Sequence, residues 1–189
     1  VLKNGETFDI NWRRLQTETQ DLKARVIYPY LFGLPIGVDY NIKLYKKDTT
    51  FIDVGNTLAF NYYYSGLNYI KTFYKQRNAN LISTSGLIAL TVLPEYADIT
   101  TKSYGLGFFY EKLDYKFNPK KGISINTQGS IGSRIIKKNP KLNDAAYTNV
   151  ALNSSQYQLE GDVIGFIKLH KNNILKLSAQ YATLFGNTI

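Results

Sequence analysis

One histidine and no cysteine narrow the chemistry that this 189-residue chain can carry. Thiolate nucleophiles, thiolate metal sites and disulfides are excluded. His170 sits in a lysine-flanked turn with no second imidazole, whereas a zinc site needs three or four converging ligands. Glu160 and Asp162 are two residues apart on one strand face, a spacing open to general acid–base work. The same pair reads with fewer assumptions as solvated partners of lysines on neighbouring strands. Gly105 and Gly107 form no phosphate-binding loop, since they fall inside a strand, where glycine relieves crowding or marks a bend. Tyrosines interleaved with basic residues would suit base stacking, and the formal charge is +9. A nucleic-acid binder, however, concentrates its charge in a patch or module. Here the lysines scatter over strand ends and turns (Lys46-Lys47, Lys120-Lys121, Lys137-Lys138, Lys141, Lys171), as suits anionic head groups or solubility. The expectation is therefore no enzyme, no cofactor, no metal and no nucleic-acid partner.

The elements that hold these residues alternate with period two, the pattern of a sheet with one apolar and one wet face. Residues 5–16 place Phe8, Ile10 and Trp12 opposite Thr7, Asp9, Asn11 and Arg13. In 20–48, Leu22, Ala24 and Val26 oppose Lys23 and Arg25. After a turn, Ile36, Val38, Tyr40, Ile42 and Leu44 oppose Asp39, Asn41 and Lys43. Ile52, Val54, Leu58, Phe60 and Tyr62 then oppose Asp53, Thr57, Ala59 and Asn61. Residues 68–77 are strand-like, but aromatic and polar groups mix on both faces and give no orientation. Residues 78–102 fit either a long loop with a short extra strand or a strand end followed by a loop. The alternation resumes with Tyr104, Leu106, Phe108 and Tyr110 opposite Gly105, Gly107, Phe109 and Glu111. It continues through 123–134, 157–169 and 174–183, after a polar, Asn-rich loop over 137–155.

The total is about nine strands of roughly 10–14 residues, near the ~9–11 needed to span a bilayer and above the mode of about 5–6 in soluble sheets. No run of about 18 apolar residues offers a transmembrane helix. The predicted fold is all-β: an antiparallel up-and-down transmembrane β-barrel segment. Connections after the second, fourth, sixth and eighth strands are compact, and those after the fifth and seventh are long. Outer-membrane barrels have short periplasmic turns and longer extracellular loops, which assigns the YPYLF turn to the periplasmic rim. Two turns stand out as structural. Pro29, Tyr30, Phe32 and Gly33 make an aromatic one, suited to a membrane–water interface. Pro119 and Gly122 bound a polar one.

The order of GETFDINWRRLQTETQDLKARVIYPYLFGLPIG, LDYKFNPKKG and LSAQYATLFGN resembles the C-terminal barrel of the BamA/TamA-type outer-membrane assembly family, which includes the two-partner secretion transporters. In that family a strand ending in a P-Tyr/Phe-Phe turn follows a G-x-x-hydrophobic strand, and a P-x-x-G turn recurs in mid-barrel. The Tyr- and Lys-rich style is similar to Bacteroidetes members. The resemblance implies that residues 1–189 are the second to tenth strands of one sixteen-stranded barrel domain. POTRA domains would precede it, and further strands with an Arg-Gly-Phe loop motif would follow; that motif is absent here. It further implies bacterial outer-membrane localisation and insertion or translocation of polypeptides. The implied partners are outer-membrane lipid and lipopolysaccharide, client outer-membrane polypeptides, and accessory assembly lipoproteins or a larger complex. The alternative on the same barrel physics is a passive channel or solute transporter.

Overall fold

The computed structural model describes residues 5–16, 18–87, 92–148, 150–171 and 173–186. They form one antiparallel sheet whose spatial order is the chain order. Its strands are β1 (Thr7–Gln16), β2 (Thr19–Tyr28), β3 (Ile36–Lys47), β4 (Phe51–Ser65), β5 (Asn68–Leu81), β6 (Ile99–Leu113), β7 (Gly122–Ile136), β8 (Asn153–Lys168) and β9 (Ile174–Gly186). Two single 3-10 turns, Leu31–Gly33 and Asp144–Tyr147, complete the secondary structure. β1 and β9 are the sheet's two edges, so the nine strands form an open up-and-down meander, consistent with a segment of a barrel. No helix among the described residues is long and apolar enough to cross a membrane, which leaves crossing by strands untouched.

The hydrogen-bond register shows how this sheet curves. Phe8, at the start of β1, is in register with Val26, Tyr40, Leu58 and Tyr74 on the next four strands. The row continues through Tyr104, Ile131 and Tyr157 to Phe185, at the end of β9. β1 and β9 run in the same direction, so one row climbs from the foot of the first strand to the head of the last. Such a stagger is what tilted strands require if a sheet is to roll into a barrel.

Strand pairing settles the orientation that alternation left open in β5. Tyr74 lies between Leu58 and Tyr104 on the apolar face, and Phe73 lies between Ala59 and Gly105 on the polar one. The mixed signal has two causes. Phe73 is an aromatic on the polar face, and the outer face turns polar at Gln76, Asn78 and Asn80 as β5 approaches the long loop. β5 reaches Leu81 before that loop begins, and no extra strand occurs among the described residues of 82–98. β8 starts at Asn153, earlier than the Asn- and Ser-rich sequence predicts.

The compact core sits at one rim and not beneath the sheet. Leu93, Ala97, Ile99, Ile136, Leu142, Ala146 and Tyr147 bury one another where the two long connections, 82–98 and 137–152, meet. By contrast Phe8, Trp12, Tyr104 and Leu106 on the apolar face of the sheet are each more than half exposed. Contiguous exposed apolar surface on this scale marks a surface that meets something other than water.

Candidate functional site on the concave face

The polar face of the sheet is its concave face. Side chains from β2 through β9 line a single hollow of about 1080 Å³, which requires the sheet to wrap around it. Lys75 on β5 also reaches Glu160 on β8, 3.8 Å away, although β6 and β7 lie between them. The intervening strands permit this because β6 carries Gly105 and Gly107 where side chains would stand. A Cβ on Gly105 would collide with the Phe73 ring, and one on Gly107 with the Lys71 stem. Phe73 therefore lies flat over β6, 4% exposed. The Nζ atoms of Lys71 and Lys75 sit 5.3 and 4.8 Å from its ring centroid, within range of a cation–π interaction.

Charged pairs lace the same face. Arg25 donates from Nε and Nη2 to the two carboxylate oxygens of Asp39, at 3.0 and 2.5 Å. Arg77 holds Asp53 with an Nη2–Oδ2 distance of 2.7 Å, and Arg13 holds Asp21 at 2.6 Å. All three arginines are about half exposed, so these bidentate or close pairs chiefly fix side-chain geometry and add modestly to stability. Glu160 and Asp162 are engaged with amides: Asn126 Nδ2 donates to Asp162 at 3.1 Å, and Gln128 and Gln158 donate to Glu160. The two carboxylates thus act as acceptors in a polar network across β7 and β8. His170 lies in the β8–β9 turn, where its backbone N–H and C=O both bond Asn173. Among the described residues no group of three or more His, Asp or Glu is arranged to hold a metal ion.

One end of the hollow is partly roofed by the connection between β5 and β6. Tyr96 stacks on Phe51 at 4.2 Å between centroids, and Phe51 packs on Tyr45 at 5.9 Å. That contact draws the loop inward, and Glu95 joins the lining of the hollow. Asp98 locks the loop to its neighbour. Its carboxylate accepts from Leu81 N at 3.2 Å and Asn139 Nδ2 at 2.8 Å, while its carbonyl accepts from Lys137 N at 3.0 Å. The Tyr147 hydroxyl accepts from Asn139 N at 3.0 Å. The sequence hides this small core because its apolar residues come singly or in short runs from two distant stretches, without periodicity.

The turn residues singled out in the sequence fall on the opposite, short-turn rim. Pro29, Tyr30, Phe32 and Gly33 form the β2–β3 connection; Phe32 and Gly33 take φ of 53° and 76°. Tyr30 packs on Tyr63 at 5.7 Å, and the Tyr63 N–H bonds the Pro35 carbonyl at 2.8 Å. Phe32 is 88% exposed. Pro119 lies in the β6–β7 connection and Gly122 opens β7, on the same rim but separated from the first turn by the β4–β5 hairpin. There the Asp114 Oδ1 accepts from the N–H groups of Tyr115, Lys120 and Lys121 at 3.0, 2.8 and 3.0 Å. These backbone donors hold its carboxyl below the usual carboxylate range. Outward-facing Tyr64, Phe108 and Tyr110 stack beside these turns, while Tyr63, Tyr69 and Phe109 pack on the inner side. Aromatic side chains thus cluster along the short-turn rim from the β2–β3 turn to β6. No protein-family model, curated protein or solved structure matches the chain.

Proposed function

We propose that this chain is part of the wall of a bacterial outer-membrane β-barrel that inserts or exports polypeptides. The observation that carries the membrane reading is the inversion of ordinary globular packing. The sheet turns its apolar residues outward from a staggered, curving wall and lines the concave side with paired charges and amides. A soluble barrel would bury its apolar face inside. The aromatic cluster along the short-turn rim suits a membrane–water interface. On this reading the short turns are periplasmic, and the long loops with their small core are extracellular. Outer-membrane lipid and lipopolysaccharide contact the outer face. Client polypeptides and accessory lipoproteins are the partners.

The assembly role rests on the order of the sequence motifs in β1–β3, in the β6–β7 turn and in β9. A passive channel is the second reading, and the polar, charged lining of the hollow favours it. Two measurements separate the alternatives. The intact protein, refolded into liposomes, should float with the vesicles and migrate heat-modifiably; a protein left in the aqueous phase without detergent refutes the membrane reading. The same proteoliposomes should accelerate folding of an unfolded client barrel. Steady ion conductance without acceleration would instead assign a channel.

A further inference from the structure

We propose that the concave face carries an anion-binding track for a multivalent, phosphate-like solute, centred on Gly55 between Lys43 and Arg77. One cross-strand row contains Lys23, Lys43, Gly55, Arg77, Thr101 and Arg134 in successive strands from β2 to β7. Four of these six positions are cationic and none is acidic. Lys23 and Lys43 are directly opposite one another, an arrangement that repels and that stability alone disfavours. Across the described lining of the hollow, seven basic side chains face four carboxylates. Those carboxylates offset the row only in part. Asp39 is held by Arg25 and Asp53 by Arg77, and Asp21 is shared between Arg13 at 2.6 Å and Lys23 at 3.8 Å. Glu95 is the fourth, on the roofing loop.

Gly55 supplies the space. A Cβ there would meet only the Lys43 carbonyl oxygen, at 4.0 Å, so the position is open toward the hollow. Gly105 and Gly107 differ, because neighbouring side chains fill their gaps. Glycine in a strand with open space beside it is a place where a ligand can approach the backbone. Asp53 accepts from Arg77 Nε at 3.1 and 2.8 Å and so fixes the guanidinium beside that gap. The guanidinium N–H groups that Asp53 does not take, on one side, and flexible ammonium groups on the other suit an anion with several oxygens. Access to the hollow rests on the barrel reading above, but the track does not depend on polypeptide assembly being the activity.

The test is calorimetric titration of the intact, detergent-folded protein with inorganic pyrophosphate, with chloride at equal ionic strength as the blank. Saturable binding is expected. Lys43→Gln and Lys23→Gln should each weaken it by about tenfold, the worth of one charge-assisted contact. Gly55→Leu should weaken it similarly by filling the gap without altering charge, and its fold is checked by heat-modifiable migration. Lys102→Gln, on the outer face, should leave it unchanged. Absence of pyrophosphate binding, or equal weakening by Lys102→Gln, overturns the proposal. If the protein floats with vesicles yet binds no pyrophosphate, only the track fails and the barrel reading stands.

Discussion

At the scale of single residues, the turn between β6 and β7 has two separable supports. Gly122 takes φ of 129°, and an added Cβ would strike the Lys112 carbonyl oxygen. Gly122→Ala should therefore destabilise the folded protein by about 1–3 kcal/mol, the cost of a non-glycine residue in such backbone. A lower denaturant midpoint at unchanged slope would register that loss. Asp114 acts through charge. Its folded pKa lies below the unfolded value, so its contribution is complete above the unfolded carboxylate pKa of about 3.9 and fades as pH falls through the folded value. Amide exchange at Lys120 and Lys121 should accelerate, relative to the intrinsic rate, only below about pH 4. Asp114→Asn should remove that pH dependence. Unchanged protection in the wild type down to pH 2 would contradict it.

At the scale of elements, alternation reveals faces but not rows. Lys23 and Lys43 are legible as polar-face residues from period two alone. That they are opposite one another, and share a row with Arg77 and Arg134, depends on the turn lengths and on the irregularities between Arg14 and Gln16 and between Tyr63 and Ser65. No local pattern encodes those. The strands of the meander are legible for the opposite reason: period two and the Pro/Gly punctuation between strands are local signals. β5 defeated the pattern because Phe73 faces inward under two lysines, a placement that the bare glycines on β6 make possible. The loop core escaped for lack of any repeat. It also yields a prediction. Asp98→Ala removes the acceptor shared by Leu81 and Asn139 and leaves alanine at a φ of 48°. An unsatisfied donor costs about 1–3 kcal/mol, concentrated here in the two loops. Limited proteolysis should then cut within 82–98 or 137–152 while the strands remain protected. Asp98→Asn, which tolerates the backbone and keeps one acceptor, should be cut more slowly. Equal resistance of wild type and Asp98→Ala would show that the loops do not depend on this lock.

At the scale of the whole molecule, the assigned faces and rims make independent demands. Leu106 is 67% exposed on the outer face of β6, amid Tyr104 and Phe108. Leu106→Arg should impair insertion by about 2–4 kcal/mol if that face meets the bilayer midplane. Likewise Leu177→Asp and Phe60→Asp should fail where Lys176→Asp, on the concave face, is tolerated. Equal tolerance of all four would contradict the assignment of the faces. Orientation of the rims is a separate matter, since a correctly inserted wall could in principle point either way. The 189 residues contain no cysteine, so a single engineered thiol among them reports its own position. Lys141, beside the small core, and Lys120, in the Asp114-supported turn, are exposed at opposite rims. In intact cells, a membrane-impermeant maleimide should label Lys141→Cys and leave Lys120→Cys unmodified until the outer membrane is permeabilised. The reverse pattern would put the loop core in the periplasm. Labelling of both in intact cells would contradict a wall with its two rims on opposite sides of the outer membrane.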